Sequence, residues 1–346
     1  MKGPHMLRTL LLTLLFAVSS LSAAQGREII DMTGRRVTVP DTIRRVFTGS
    51  PPATYMLYAL DPSLLVGVNF TIKAEDRRFL RPEFTRLPVA GGVFGQGRNI
   101  NLEALLALKP DVVLMWAWKD GGAGNKLAER LHKSGIATVF LDLDSLENYP
   151  KAFTFLGDLL GRRERARRLA DYARDTLRTV AAATAGIPDQ ERVSVYYAEG
   201  TDGLATERET SVHAEVIRLA NGRNVHRGAA LDHAGMEKVN LEQVLLYNPQ
   251  AIVVQERIFR DSVTHDKRWQ SIGAVRNGQV WLVPRTPFNW FDRPPSFMRL
   301  LGLKWFANRL YPKRYPINMA KETKEFYRLF LGVELSDRDL REILQR

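Results

Sequence analysis

The hydrophobic positions of this chain change period along its length. Short apolar runs stand at 44–49, 64–68, 111–115 and 137–141. Between them, 53–60, 102–108 and 125–134 carry apolar residues at helical spacing. Strands alternating with helices predict a parallel sheet covered on both faces. The pattern then breaks. Ala166, Leu169, Ala170, Ala173, Leu177, Val180 and Ala181 recur at the 3, 4, 7 spacing of one apolar helix face. This predicts a single helix from Arg163 to about Gly186, roughly 35 Å long, ended by Gly186 and Pro188. Alternation restarts beyond it. Strands are expected at 192–197, 251–254 and 279–283, and helices at 211–220, 241–247, 296–310 and 319–330. The fold class expected is α/β: two Rossmann-like lobes with central parallel sheets, joined by one long α-helix. The expected bounds are 25–160 for the N-terminal lobe, 161–187 for the linking helix and 188–346 for the C-terminal lobe.

One phrase occurs twice. Residues 101–115 read NLEALLALKPDVVLM and residues 240–254 read NLEQVLLYNPQAIVV. Each is a helix, a Pro stop and a core strand, so each lobe carries the same unit in the same place. Core packing accounts for the Leu and Val positions. It does not account for Glu103 and Glu242. A carboxylate in the first turn favours the helix dipole by about 0.3–1 kcal/mol, which suffices for either Glu alone. Two matching exposed acids, one per lobe, also suit a two-fold symmetric partner.

Composition narrows the class. The chain has 346 residues, 45 % hydrophobic and 25 % charged, enough for a sizeable core. It begins with Lys2 and Arg8, an apolar run of 13 residues from Thr9, and then SAAQG. That order is a secretory signal, expected to occupy 1–24 and be removed. The mature protein is expected in the periplasm, not lipidated, because the chain contains no Cys. The same absence excludes thiolate metal sites and a Cys nucleophile. The net charge of +12 is scattered apart from the cluster at Arg162, Arg163, Arg165, Arg167 and Arg168. That cluster reads as a solvated helix face, and no nucleic-acid partner is expected.

On these residues the chain resembles the solute-binding proteins of ABC importers for metal chelates: ferric siderophores, haem and cobalamin. The paired NLE helices, the lone long helix, and the opening Asp31, Gly34, Arg35, Val37 and Pro40 in D-x-x-G-R-x-V-x-x-P spacing carry the resemblance. It covers essentially the whole mature chain and is poor for the cargo. It implies a monomer that works with an ABC permease and its separate ATPase subunit, with a small hinge. It also implies that Glu103 and Glu242 form salt bridges to permease arginines. An iron chelate, siderophore or haem, is the first expectation for the cargo. A molybdate or tungstate oxyanion and a nickel or cobalamin chelate stay open. No cofactor is expected.

Ligands of open α/β sheets lie beyond the carboxyl ends of the strands. The expected ligand residues are therefore Ser50, Tyr55, Phe94, Arg98, Trp116 and Trp118 in the first lobe. In the second they are Tyr197, Glu199, Arg257, Trp290, Phe291 and Arg293. The rings offer flat apolar area and the guanidinium groups offer forks for oxyanions. Core packing or salt bridges would account equally for any one of them. His226 and His233 are weak candidates as metal ligands, since no His pair has helix-ligand spacing. The stretch 91–97 lacks the strand–turn–helix context of a phosphate loop. An enzyme, such as a chelatase-like one, is the distant alternative. No Gly-x-Ser-x-Gly elbow, His-Glu-x-x-His or Walker loop supports it.

Overall fold

The computed structural model describes residues 26–92, 100–117, 122–231 and 235–344. Two separate parallel sheets form. The first runs in the order Val46–Thr48, Val112–Trp116, Ala137–Leu141. The second runs Val280–Leu282, Ala251–Val254, Ser194–Ala198, Arg223–Asn224. The central strands VVLMW, SVYYA and AIVV are buried along their whole length, as strands covered by helices on both faces must be. The two repeats sit in register with this plan: each NLE helix leads into a central strand, Val112–Trp116 or Ala251–Val254.

Some local expectations are corrected. Residues 64–68 form no strand of their own. Asp61 caps Ser63 through a 3.0 Å hydrogen bond, Pro62–Leu64 turns as a 3₁₀ helix, and only single bridges follow, Val46 to Leu65 and Val68 to Val89. The helix expected at 211–220 divides into a 3₁₀ turn, Val212–Ala214, and the helix Glu215–Leu219. The tail helix Met319–Phe326 runs into a π turn, Tyr327–Leu331.

The linking helix spans Arg163–Thr184. Its buried stripe passes through Thr176 and Thr184, while Leu177 is half-buried and Ala181 exposed. Thr184 Oγ1 donates back to Val180 O at 3.0 Å, which satisfies a hydroxyl inside an apolar seam. Helix Tyr149–Leu160 packs antiparallel to it. The contact is close: a Cβ on Gly157 would lie 2.3 Å from Ala166 Cβ. The Arg cluster is not one solvated face. Arg165 turns inward, donating to Ala59 O at 2.9 Å and to Leu329 O, and burial lowers its pKa to about 10.

The two halves share one buried cluster. Tyr55 packs on Phe288 with ring centroids 4.2 Å apart, and Tyr58 meets Phe84 at 4.7 Å and Phe297 at 6.5 Å. Phe297, Phe326 and Phe330 continue the stack, Phe326 and Phe330 at 4.3 Å. The C-terminal tail therefore returns to the first half of the chain. Tyr58 donates to Leu331 O at 2.9 Å, and Arg78 pairs with Asp339 at 3.1 Å. Tail and linking helix are joined at Glu322, which takes Tyr172 at 2.5 Å and Lys304 at 2.7 Å.

Candidate functional site

The carboxyl ends of both sheets bring together part of the expected set. Ser50 follows the strand Val46–Thr48 and starts the helix Pro51–Leu60. It is fully buried, and its Oγ accepts from Trp116 N at 3.2 Å. The Trp116 indole N–H donates to Asp144 at 2.8 Å, so this ring is held from behind. Tyr55 and Phe70 lie 5.4 Å apart, with Phe288 of the second half against both. Tyr197 is buried; its hydroxyl donates to Gln255 Oε1 at 3.3 Å and its ring meets Phe291 at 5.2 Å. Arg257 opens the helix Arg257–Val263 and is exposed. Phe94, Arg98, Trp118 and His233 lie outside the described residues.

Two expectations about this loop change. Trp290 and Phe291 are fully buried and offer no open ring face. The loop is pressed onto the helix Met298–Leu310. Trp290 N donates to Pro284 O at 3.0 Å, Phe291 packs edge-on against Phe306 at 5.2 Å, and a Cβ on Gly302 would stand 1.7 Å from Trp290 O. Arg293 is not an open fork either. Its guanidinium bonds Glu199 at 2.5 Å and also Glu207.

Around Arg293 lies a buried ionic network that was not legible in the sequence. Asp292 is wholly enclosed and pairs with His213 Nδ1 at 2.7 Å. Burial alone would lower the His213 pKa, but the Asp292 carboxylate outweighs it and holds the imidazole above its ordinary value. Burial would raise Asp292; His213, Arg293 and Arg299 together hold it below the usual carboxylate range. Glu199 goes the other way. Burial, with Glu207 and Asp292 nearby, pushes it up to about 8 even beside Arg293. Its Oε2 has no hydrogen-bond partner among the described residues.

A second cluster crosses between the halves. Glu215 accepts from Ser145 Oγ at 2.5 Å and from Leu146 N at 3.1 Å, and pairs with the buried Arg299 at 2.6 Å. Ser145 follows the last strand of the first sheet, and Glu215 stands in the second half. This carboxylate latches the second half of the chain to the first.

The repeat carries its own geometry. Asn101 and Asn240 cap their helices identically, accepting from Ala104 N at 3.0 Å and Gln243 N at 2.8 Å. Glu103 and Glu242 stand in the exposed first turns. His226 has both ring nitrogens engaged, with Tyr247 at 2.9 Å and Glu237 at 3.1 Å, and so ties a loop to the second NLE helix. Among the described residues no group of three or more His, Asp or Glu side chains is placed to hold a metal ion.

Two halves, each with its own parallel sheet, and a single long helix between them define a bilobal α/β protein. The chain belongs to the periplasmic binding protein family, whose profile matches residues 85–286. It is similar to the molybdate-binding protein MolA of Haemophilus influenzae, 26 % identical over 94 % of this chain and 96 % of that one. It is also 26 % identical to a vitamin B12-binding protein of Salmonella typhi, over 62 % of this chain and 74 % of the relative. Among solved structures, an ABC transporter solute binding protein from Sulfurospirillum deleyianum superimposes with a TM-score of 0.86 at 40 % identity, covering 92 % of this chain and 99 % of its own. No helix among the described residues is long and apolar enough to cross a membrane.

Proposed function

We propose that this chain captures a small anionic metal species in the cleft and delivers it to an ABC permease, docking through Glu103 and Glu242. A molybdate- or tungstate-type oxyanion is the leading cargo. The observation that carries this reading is the start of the helix Pro51–Leu60. It opens at the carboxyl end of the first sheet with no acidic residue in its first turn and no side-chain cap. Pro51 and Pro52 carry no N–H, so this end offers an anion the positive pole of the helix dipole rather than a full row of donors. Arg257 stands at the corresponding end of the strand Ala251–Val254 in the second half. The similarity to a molybdate-binding relative along nearly the whole chain points the same way.

An iron chelate, the first expectation from sequence, becomes the second reading, because Trp290 and Phe291 are spent on the core. Phe70 favours it, since it stays half-buried beside the enclosed Tyr55 and Phe288 at the junction of the halves. Titrating the full mature chain with sodium molybdate, sodium tungstate, haemin and cyanocobalamin in a calorimeter separates the readings. Saturable one-to-one binding of the oxyanions is expected. Binding of haemin with a Soret shift, and none of molybdate or tungstate, would reverse the order. Replacing both Glu103 and Glu242 by Lys is expected to keep cargo affinity and abolish uptake; surviving uptake sinks the docking role.

A further inference from the structure

The two NLE helices match in cap, acid and stop, but not in the residues one turn beyond the acid. Residues three and four positions apart share a helix face. In the second repeat these neighbours of Glu242 are Leu245 and Leu246. Leu246 is 80 % exposed and Leu245 37 %. In the first repeat the equivalent neighbours of Glu103 are Leu106, which is half-buried, and Ala107. The third apolar place is the same in both halves: Leu105 and Val244 are fully buried. Core packing therefore explains Leu105 and Val244 and leaves Leu246 without a reason. It is the most exposed of the large hydrophobic side chains among the described residues. The bonds from Tyr247 to His226 and from His226 to Glu237 brace the far end of this helix, so the face is a firm one.

We infer that Leu245 and Leu246 are an apolar anchor beside Glu242, seated in an apolar socket next to the arginine that the permease offers to that acid. The inference rests on the docking reading above and extends it. The occupant is the periplasmic face of the permease because the anchor is continuous with the Glu242 face, one turn further along the same short helix. A salt bridge at a solvated rim contributes little and is screened by salt. A leucine buried in a socket holds the complex together and slows its release. Docking is then lopsided. The first lobe is held by charge at Glu103, and the second by charge and apolar burial together.

The test uses the full mature chain, without cargo, against its cognate permease–ATPase complex in lipid nanodiscs. Association and dissociation are followed by biolayer interferometry. Leu246→Ser is expected to speed dissociation about tenfold, the scale of one buried leucine, with association nearly unchanged. Ala107→Ser, its counterpart, is expected to stay within twofold. Glu242→Lys is expected to slow association and to flatten its dependence on salt, because the attraction that salt screens is gone. If Leu246→Ser dissociates like the parent while Glu242→Lys is impaired, the anchor is refuted and docking through the acids stands. If neither change matters, the docking reading itself fails. Equal binding of the parent chain to nanodiscs lacking the permease would assign the leucines to lipid instead. A parent dimer in analytical ultracentrifugation that Leu246→Ser dissolves would assign them to a second copy. Either result overturns the proposal.

Discussion

Glu199 lies against Arg293 with one oxygen unpaired among the described residues, and burial lifts it from 4.5 to about 8. The folded protein therefore holds a proton that the unfolded chain has released above its ordinary value. The stability this proton provides is complete below about pH 4.5 and is lost as the pH climbs to about 8. His213, also raised, acts in the same direction over its own range, while Asp292, lowered, stabilises the fold above its ordinary value and loses that contribution as the pH falls. Replacing Glu199 by Gln imitates the protonated acid. Melting temperatures taken from pH 5 to 8 should fall with pH in the parent and much less in Glu199→Gln. A variant that is several degrees weaker at pH 5 would show that the carboxylate is needed charged. The repeat supplies a second test. Its ninth position is left-handed in both copies, Lys109 at φ 44° and Asn248 at φ 39°. Asn tolerates that backbone and Lys resists it. Lys109→Asn should add about 0.5–1 kcal/mol in urea denaturation; a loss would mean that the Lys stem contributes packing. At this scale the sequence showed the paired acids because repetition singled them out. It concealed Glu207, Glu215 and Arg299, whose ion pairs join residues more than 80 positions apart. It also misplaced Trp290 and Phe291, because an aromatic loop reads the same whether it faces a guest or a neighbouring helix.

Among the elements, those with one strong period were legible. The NLE helices, the strands at 137–141 and 251–254, and the linking helix stand where periodicity put them. The linking helix shows the limit of the method. Counting apolar letters favoured Leu177 and Ala181, whereas the buried line runs through Thr176 and Thr184, whose hydroxyls bond within their own helix or are enclosed. Helix Tyr149–Leu160 and the hairpin of Gly26–Ile30 with Arg36–Pro40 escaped notice. The first is apolar over most of its circumference, and the second is a short pair that buries only Val37 and Val39. The pairing of helix Tyr149–Leu160 with the linking helix depends on Gly157. Gly157→Ala forces a methyl against Ala166 and should cost about 1–3 kcal/mol despite improved helix propensity. Denaturation at equilibrium measures it, and a gain in stability would mean the helices can part freely.

For the whole molecule, a hinge between two independent lobes is too simple a picture. One buried cluster runs from Val37 to Leu344, and the Glu215 latch joins the two halves. A shared core predicts shared cooperativity. Calorimetry of the cargo-free chain should show one unfolding transition, and Phe330→Ala should move the whole of it, by about 3–5 kcal/mol for the lost ring. Two separated transitions, only one of them shifted, would restore independent lobes. The alternation of strand and helix forecast two sheets and a connecting rod. Nothing in local periodicity could forecast that the tail returns, because that contact is made by Tyr58 with Leu331 and Arg165 with Leu329, across more than 160 residues.

That return has a bearing on how the molecule is made. Any chain threaded through a membrane or a ribosome with its amino end leading presents Tyr58, Phe79 and Phe84 long before residues 326–344 arrive to cover them. The leading half must wait, with aromatic rings exposed to solvent, until the final stretch of polypeptide closes over it. A nascent chain halted before that stretch would be sticky, easily cut by proteases and a natural client for chaperones, although both of its strand-forming regions had already been synthesised.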